Sequence, residues 1–231
     1  MKSPTRFTGF DFLGGHCYRL RLNLNNDTRT PMAPVIDYFM VPNSPWTYFG
    51  HDRLAALAAQ HGAEIRIKPI DLGGQIFPAS GGLPLGQRAP QRQAYRLVEL
   101  KRFSEALAIP INIQPRFFPV PGDRACTLIV AVQLAHGDAT AMAFAGDLLR
   151  AVWVNEENIN DDELLQRKLH DRQLPDSLMA AAQSEATLAR FQANTDEALA
   201  TGVFGSPTYV CAGALYWGQD RLDFLARQLA K

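Results

Sequence analysis

The spacing of apolar and polar residues changes character along the chain, and each change marks a boundary. Val35-Ile36-Asp37-Tyr38-Phe39-Met40-Val41 is rich in β-branched and aromatic residues, as a buried strand requires. Pro42 and Asn43 stop it. Ser44 is a good helix N-cap, and Pro45 suits the first helical position, where a missing N–H has no partner to lose. Apolar residues then recur at Trp46, Phe49, Leu54, Leu57 and Ala58, predicting a helix over about 45–61 that Gly62 ends. Ile65, Ile67 and Ile70 alternate with charged residues, predicting a second strand over 63–70. Glycines and prolines crowd residues 72–90, a long loop of the kind that often carries function. No Gly-Lys-Ser/Thr follows them, so they match no phosphate-binding fingerprint.

From about 91 to 201 the pattern is helical. One helix takes in Ala94, Leu97, Val98 and Leu100 through Leu107, and residues 111–121 are broken by prolines. Two helices follow over 128–134 and 139–154, the second behind Asp138 as its N-cap. Asn160-Asp161-Asp162-Glu163 reads as an N-cap with an acidic first turn, and short helices are predicted near 176–183 and 185–200, the last closed by Gly202. Then the period returns to two. Residues 202–211 read as a loop entering a strand, and Ala214-Leu215-Tyr216-Trp217 as its partner after a turn at Ala212-Gly213. Residues 221–229 form a terminal amphipathic helix with Leu222, Leu225 and Leu229 on one face. The order β-α-β, helices, β-β-α predicts an α/β fold: one sheet domain made from 34–80 and 202–231, with an all-helical domain, 81–201, inserted between them.

Residues 1–33 carry Lys2, Arg6, Arg19, Arg21 and Arg29 against Asp11 and Asp27, with no sustained apolar run. They read as a poorly ordered extension ahead of a functional start at Met32. Lys+Arg and Asp+Glu each total 23, so charge points to neither nucleic acid nor an anionic membrane as partner. The longest apolar runs fall short of a bilayer span. Cys17, Cys126 and Cys211 are dispersed and odd in number, which argues against a disulfide framework or a zinc site and fits a cytoplasmic protein. The five histidines read as surface or structural.

A strand turning sharply into a helix holds the Ser44 hydroxyl at the positive end of a helix dipole, a place that favours an anion. The plain alternative is an ordinary N-cap. A second signal far along the chain bears on the choice: the β-α-β and β-β-α halves follow the order of the thioredoxin fold. Ser44-Pro45-Trp46-Thr47 resembles its C-P-x-C active site of the DsbA type with both sulfurs replaced, and Ser206-Pro207-Thr208 stands where its cis-proline loop belongs. A disulfide is therefore ruled out at this site.

Together with Gly202-Val203-Phe204-Gly205, Trp217-Gly218-Gln219-Asp220-Arg221-Leu222 and Arg92-Gln93-Ala94-Tyr95, these motifs resemble the 2-hydroxychromene-2-carboxylate isomerases. These are glutathione-dependent relatives of the kappa-class glutathione transferases. The resemblance covers about 35–230 and implies glutathione as cofactor, with Ser44 donating its hydroxyl to the glutathione sulfur. It further implies that Ser206 pairs its backbone with the cysteinyl part beside a cis Pro207, and that Gln219 and Asp220 hold the γ-glutamyl end. The implied partner is a small aromatic carboxylate, met by Trp46 and Arg92, and a homodimer is compatible with it. In the family reaction a thiolate adds to a conjugated carbon, the former double bond rotates, and elimination gives a benzylidenepyruvate.

Other readings stand beside this one. Trp46, Tyr48 and Phe49 read as core, with Trp46 the one chosen to line the pocket; Thr47 reads as structural, Asp220 as an N-cap and Arg221 as a surface charge. Many relatives carry an Asn soon after the Phe-Pro of the middle segment, whereas this chain runs Phe118-Pro119-Val120-Pro121-Gly122-Asp123. The functions in play are the isomerase, a kappa-like glutathione transferase that releases the conjugate, and a thioredoxin-fold binding protein without catalysis.

Overall fold

Strand β1 (Val35–Met40) lies inside a four-stranded sheet of order β2-β1-β3-β4 in a computed structural model that describes residues 33–231. The expected N-terminal extension, apart from Ala33, lies outside these residues. β2 (Glu64–Pro69) runs parallel to β1, reached through the crossover helix α1 (Pro45–His61). β3 (Thr208–Cys211) is antiparallel to β1, with Tyr209 opposite Tyr38, and β4 (Ala214–Trp217) is antiparallel to β3. This is the thioredoxin-like arrangement that the order of elements predicts.

Alternation along β1 sends its side chains to two cores. Ile36, Tyr38 and Met40 pack with α1, α4 (Asp123–Trp153) and α8 (Leu222–Leu229). Phe39 and Val41 turn to the other face, with Ile76, Val210 and Ala198 of α7 (Glu185–Thr201). Each fully buried Ile, Leu or Phe here contributes about 1.5–3 kcal/mol of burial. The first core runs without interruption from the sheet into α4, α5 (Asp162–Asp171) and α6 (Ser177–Ala181), so the inserted helices share their apolar residues with the strands. Cys126 and Cys211 are buried within these cores, as small hydrophobes.

The two helices expected over 128–134 and 139–154 are segments of α4, separated by Gly137 at a non-helical, positive φ (81°). Joined, they make a helix long and apolar enough by composition to cross a membrane, with half of its most apolar window buried inside the fold. Asp138 is not the expected helix cap. Its carboxylate accepts from the Ile67 N–H (3.0 Å) and the Gln133 amide (2.6 Å), and that amide also donates to the Ile67 carbonyl (2.8 Å). A tertiary demand has taken the side chain: β2 is a sheet edge, and its outward backbone groups need partners. Farther on, Asp161 caps α5 as expected, its carboxylate accepting from the Glu163 N–H.

The stretch 72–90, read as loop, is helical in pieces: a π-turn (Leu72–Ile76), α2 (Phe77–Ser80) and a 3₁₀ turn (Leu85–Gln87). Asp71 nucleates the first of these by accepting from the Gly74 N–H at 2.7 Å. α3 (Pro90–Leu107) then runs back across the front of α1.

Candidate active site

Ser44 caps α1 in an extended conformation (φ −87°, ψ 127°), its Oγ accepting from the Thr47 N–H at 3.2 Å. Pro42 and Pro45 set this corner, the first by ending the strand and the second by starting the helix. The same hydroxyl donates across the fold to the Ser206 carbonyl at 3.3 Å. Pro207 follows a cis peptide, as the resemblance implies, and a second cis peptide, not foreseen from sequence, precedes Pro119. Ser206 is bound more tightly than its neighbour. Its Oγ accepts from the Val41 N–H at 3.0 Å and lies 2.9 Å from Thr47 Oγ1. Thr208 Oγ1 donates to the Gly205 carbonyl at 2.7 Å, fixing the loop from its far side. Thr47 is fully buried and Ser44 is 8% exposed, so this polar cluster sits at the edge of the core. Thr47 is structural, as expected, and its tie to Ser206 is a contact no local pattern could show.

Gln219 and Asp220 stand along α1 from this corner, in a short 3₁₀ turn (Gln219–Arg221) ahead of α8. Gln219 is buried, its amide oxygen accepting from Arg53 Nη1 at 2.5 Å. The turn sits on Gly50, where a Cβ would lie 2.5 Å from the Tyr209 hydroxyl and 3.1 Å from Gln219 Cβ. Only glycine allows that approach. Asp220 is exposed and accepts from Arg221 at 2.6 Å; its side chain makes no cap for α8. Trp46 is half-buried, edge-on to Phe103 of α3 (centroids 5.8 Å, 82°) and near Phe49 (6.3 Å). Arg92 is exposed on α3, and the structure brings it to no described partner side chain.

Below α1, His51 Nε2 lies 2.9 Å from the Met142 carbonyl, which can only accept, so Nε2 carries the proton. Nδ1 is then the acceptor for the Tyr38 hydroxyl at 3.2 Å. Burial pushes the His51 pKa below its ordinary value near 6.5 and the Tyr38 pKa well above 10. His51 is thus a neutral packing residue, as the sequence suggests.

The residue that sequence reading missed is Arg96. Its guanidinium lies over the rings of Phe118 (5.0 Å) and Trp153 (5.7 Å), yet its Nη2 is buried without a hydrogen-bond partner. Arg88, Arg92 and Arg96 at four-residue intervals look like a solvated stripe in sequence, and only the approach of Phe118 and Trp153 makes Arg96 partly buried.

A thioredoxin-like sheet, a helix N-terminus bearing a hydroxyl and a cis-proline bend facing it define the class of protein. The DSBA-like thioredoxin domain model matches residues 35–230, and the chain belongs to that family. Among curated relatives it is 26% identical over 199 residues to 2-hydroxychromene-2-carboxylate isomerase of Sphingobium xenophagum, covering 86% of this chain and 99% of that one. It is also 26% identical over 204 residues to the enzyme of that name from Pseudomonas putida, covering 85% and 95%. A solved 2-hydroxychromene-2-carboxylate isomerase superposes with a TM-score of 0.71 at 24% identity, over 85% of this chain and 94% of that one.

Proposed function

We propose that the chain is a glutathione-dependent isomerase of the 2-hydroxychromene-2-carboxylate type, acting on a small aromatic carboxylate. One observation carries the reading: the Ser44 hydroxyl, at the N-terminus of a 17-residue helix, faces the Ser206 carbonyl next to cis Pro207. Both positions of the C-P-x-C pattern lack sulfur, so the site is suited to hold a thiol from outside rather than to exchange disulfides. The residues fit such a group. Among the described residues the Ser206 carbonyl accepts only the long Ser44 bond, which leaves it able to take a peptide N–H. Glutathione, when bound, supplies a sulfur nucleophile that is regenerated at the end of the cycle.

The roles of the chain's own side chains follow. Ser206 offers its carbonyl to the peptide; Ser44, released from that carbonyl, turns its O–H toward the sulfur and lowers the thiol pKa together with the α1 dipole. Thr47 needs no movement, because it holds Ser206 by the hydroxyl and not by the carbonyl. Gln219 and Asp220 are the groups for the γ-glutamyl end, the first through its backbone N–H, since Arg53 holds both its side-chain amide oxygen and its carbonyl. Trp46 and Phe103 form an aromatic wall between α1 and α3 for the substrate ring.

The test is a glutathione titration followed by product analysis. A charge-assisted bond to sulfur is worth about 1.5–3 kcal/mol. Ser44→Ala is therefore expected to cut turnover about tenfold or more, with glutathione affinity changed much less. Stable thioether with consumption of glutathione would identify a transferase instead. No binding at millimolar glutathione would leave a non-catalytic binding protein.

A further inference from the structure

Arg96 presents a cation with no counter-charge. It lies one turn beyond Arg92 and one turn before the fully buried Leu100, so α3 aims it inward. Its Nη2 has no acceptor, and the residue beneath it, Trp153, is completely buried and ends in an indole N–H that also has none. No carboxylate among the described residues pairs with Arg88, Arg92 or Arg96; the nearest acid along the helix, Glu99, is taken by Arg102 at 3.1 Å. Burial, together with Arg88, lowers the Arg96 pKa to about 10, which leaves it charged at neutral pH. Ring contacts recover part of the cost of burying such a charge, but they satisfy no N–H. Two buried donors on touching side chains, with aromatic faces around them, match a planar anion attached to a flat apolar body.

The place adjoins the proposed active site along two routes. Arg96, Leu100 and Phe103 fall on one stripe of α3, and Phe103 meets Trp46 two residues past Ser44. Phe118 begins the segment whose Val120 carbonyl accepts from Asn43, the residue before Ser44, at 2.8 Å. We propose that Arg96, backed by the Trp153 indole N–H, is the receptor for the carboxylate of the aromatic substrate, and that exposed Arg92 is not. The assignment rests on the isomerase reading for the identity of the substrate, but its binding chemistry can be tested without turnover.

The probes are trans-benzylidenepyruvate and its methyl ester, titrated into the full chain without glutathione and followed by calorimetry. The wild type is expected to bind the acid about tenfold or more tighter than the ester. Arg96→Met should abolish that preference, Arg96→Lys should keep part of it, and Trp153→Phe should weaken the acid by about threefold. Arg92→Met should leave the preference intact, and glutathione affinity should not move in any variant. Equal binding of acid and ester by the wild type would overturn the proposal. So would an unchanged preference in folded Arg96→Met, or a loss of preference that tracks Arg92. Weakened glutathione binding in Arg96→Met would overturn it too, by showing that the guanidinium serves the peptide. If Arg96-dependent preference for the acid appears without any isomerisation, this receptor stands and the isomerase reading falls.

Discussion

At the Ser44 corner every hydroxyl is occupied by another group of the chain, whereas at Arg96 two buried donors have no acceptor at all. The first site is complete without a ligand, so binding there must exchange one bond for another, and the long Ser44–Ser206 contact is the one placed to yield. At the second, Arg96 Nη2 and the Trp153 N–H are out of reach of water and unbonded, so a ligand there adds bonds where none existed. Polar groups that stabilise the fold and polar groups that wait for a ligand can therefore be told apart by what their removal does to stability.

The sharpest way to break this contrast is Ser206→Ala. It strands the buried Val41 N–H and deprives Thr47 of its partner, at about 2–5 kcal/mol for the pair, measured by urea unfolding. A loss under about 1 kcal/mol would mean that water or other groups compensate readily and that the corner is not preassembled. Thr47→Val removes one hydroxyl and leaves Ser206 still on Val41; about 1–2 kcal/mol is expected from the same measurement.

A smaller effect should appear as a pH dependence. Because the folded pKa of His51 is depressed by burial, the unfolded chain binds the extra proton first. The stability this neutral ring contributes is complete above pH about 6.5 and is lost as the pH falls below that value toward the folded pKa. Unfolding midpoints taken from pH 8 to 5 should fall on the acid side, and more steeply than those of His51→Gln; parallel curves would refute the assignment. The smallest change expected is that of Arg96→Met, which removes a partly buried guanidinium without an ion partner and should unfold at the same urea concentration as wild type or slightly higher. A marked loss of stability there would make Arg96 a structural residue and erase the contrast.

The helix start at Ser44 was legible because local chemistry decides it, Pro after Ser naming a first turn, whereas the facing Ser206–Pro207 bend was implied by the resemblance to the thioredoxin fold. An interruption between 134 and 139 was expected too, but through Asp138 as a cap; the two segments prove to be one element broken at Gly137. What local rules could not show lies where a distant segment overrules them. Asp138 has the sequence of a cap and serves the edge of β2. Arg96 has the spacing of a surface residue and is roofed by Phe118 and Trp153. The residues 72–90 have the composition of a loop, yet Asp71 winds their first turn.

One bond has a consequence for the making of the protein. The Val41 N–H and the Ser206 hydroxyl meet across 165 positions of chain. As the polypeptide leaves the ribosome, α1 can form early, but nothing can face Ser44 until synthesis has passed the last strands. Until then the Ser44 corner has no bend opposite it, and a copy truncated before Ser206 would carry the serine without its facing carbonyl.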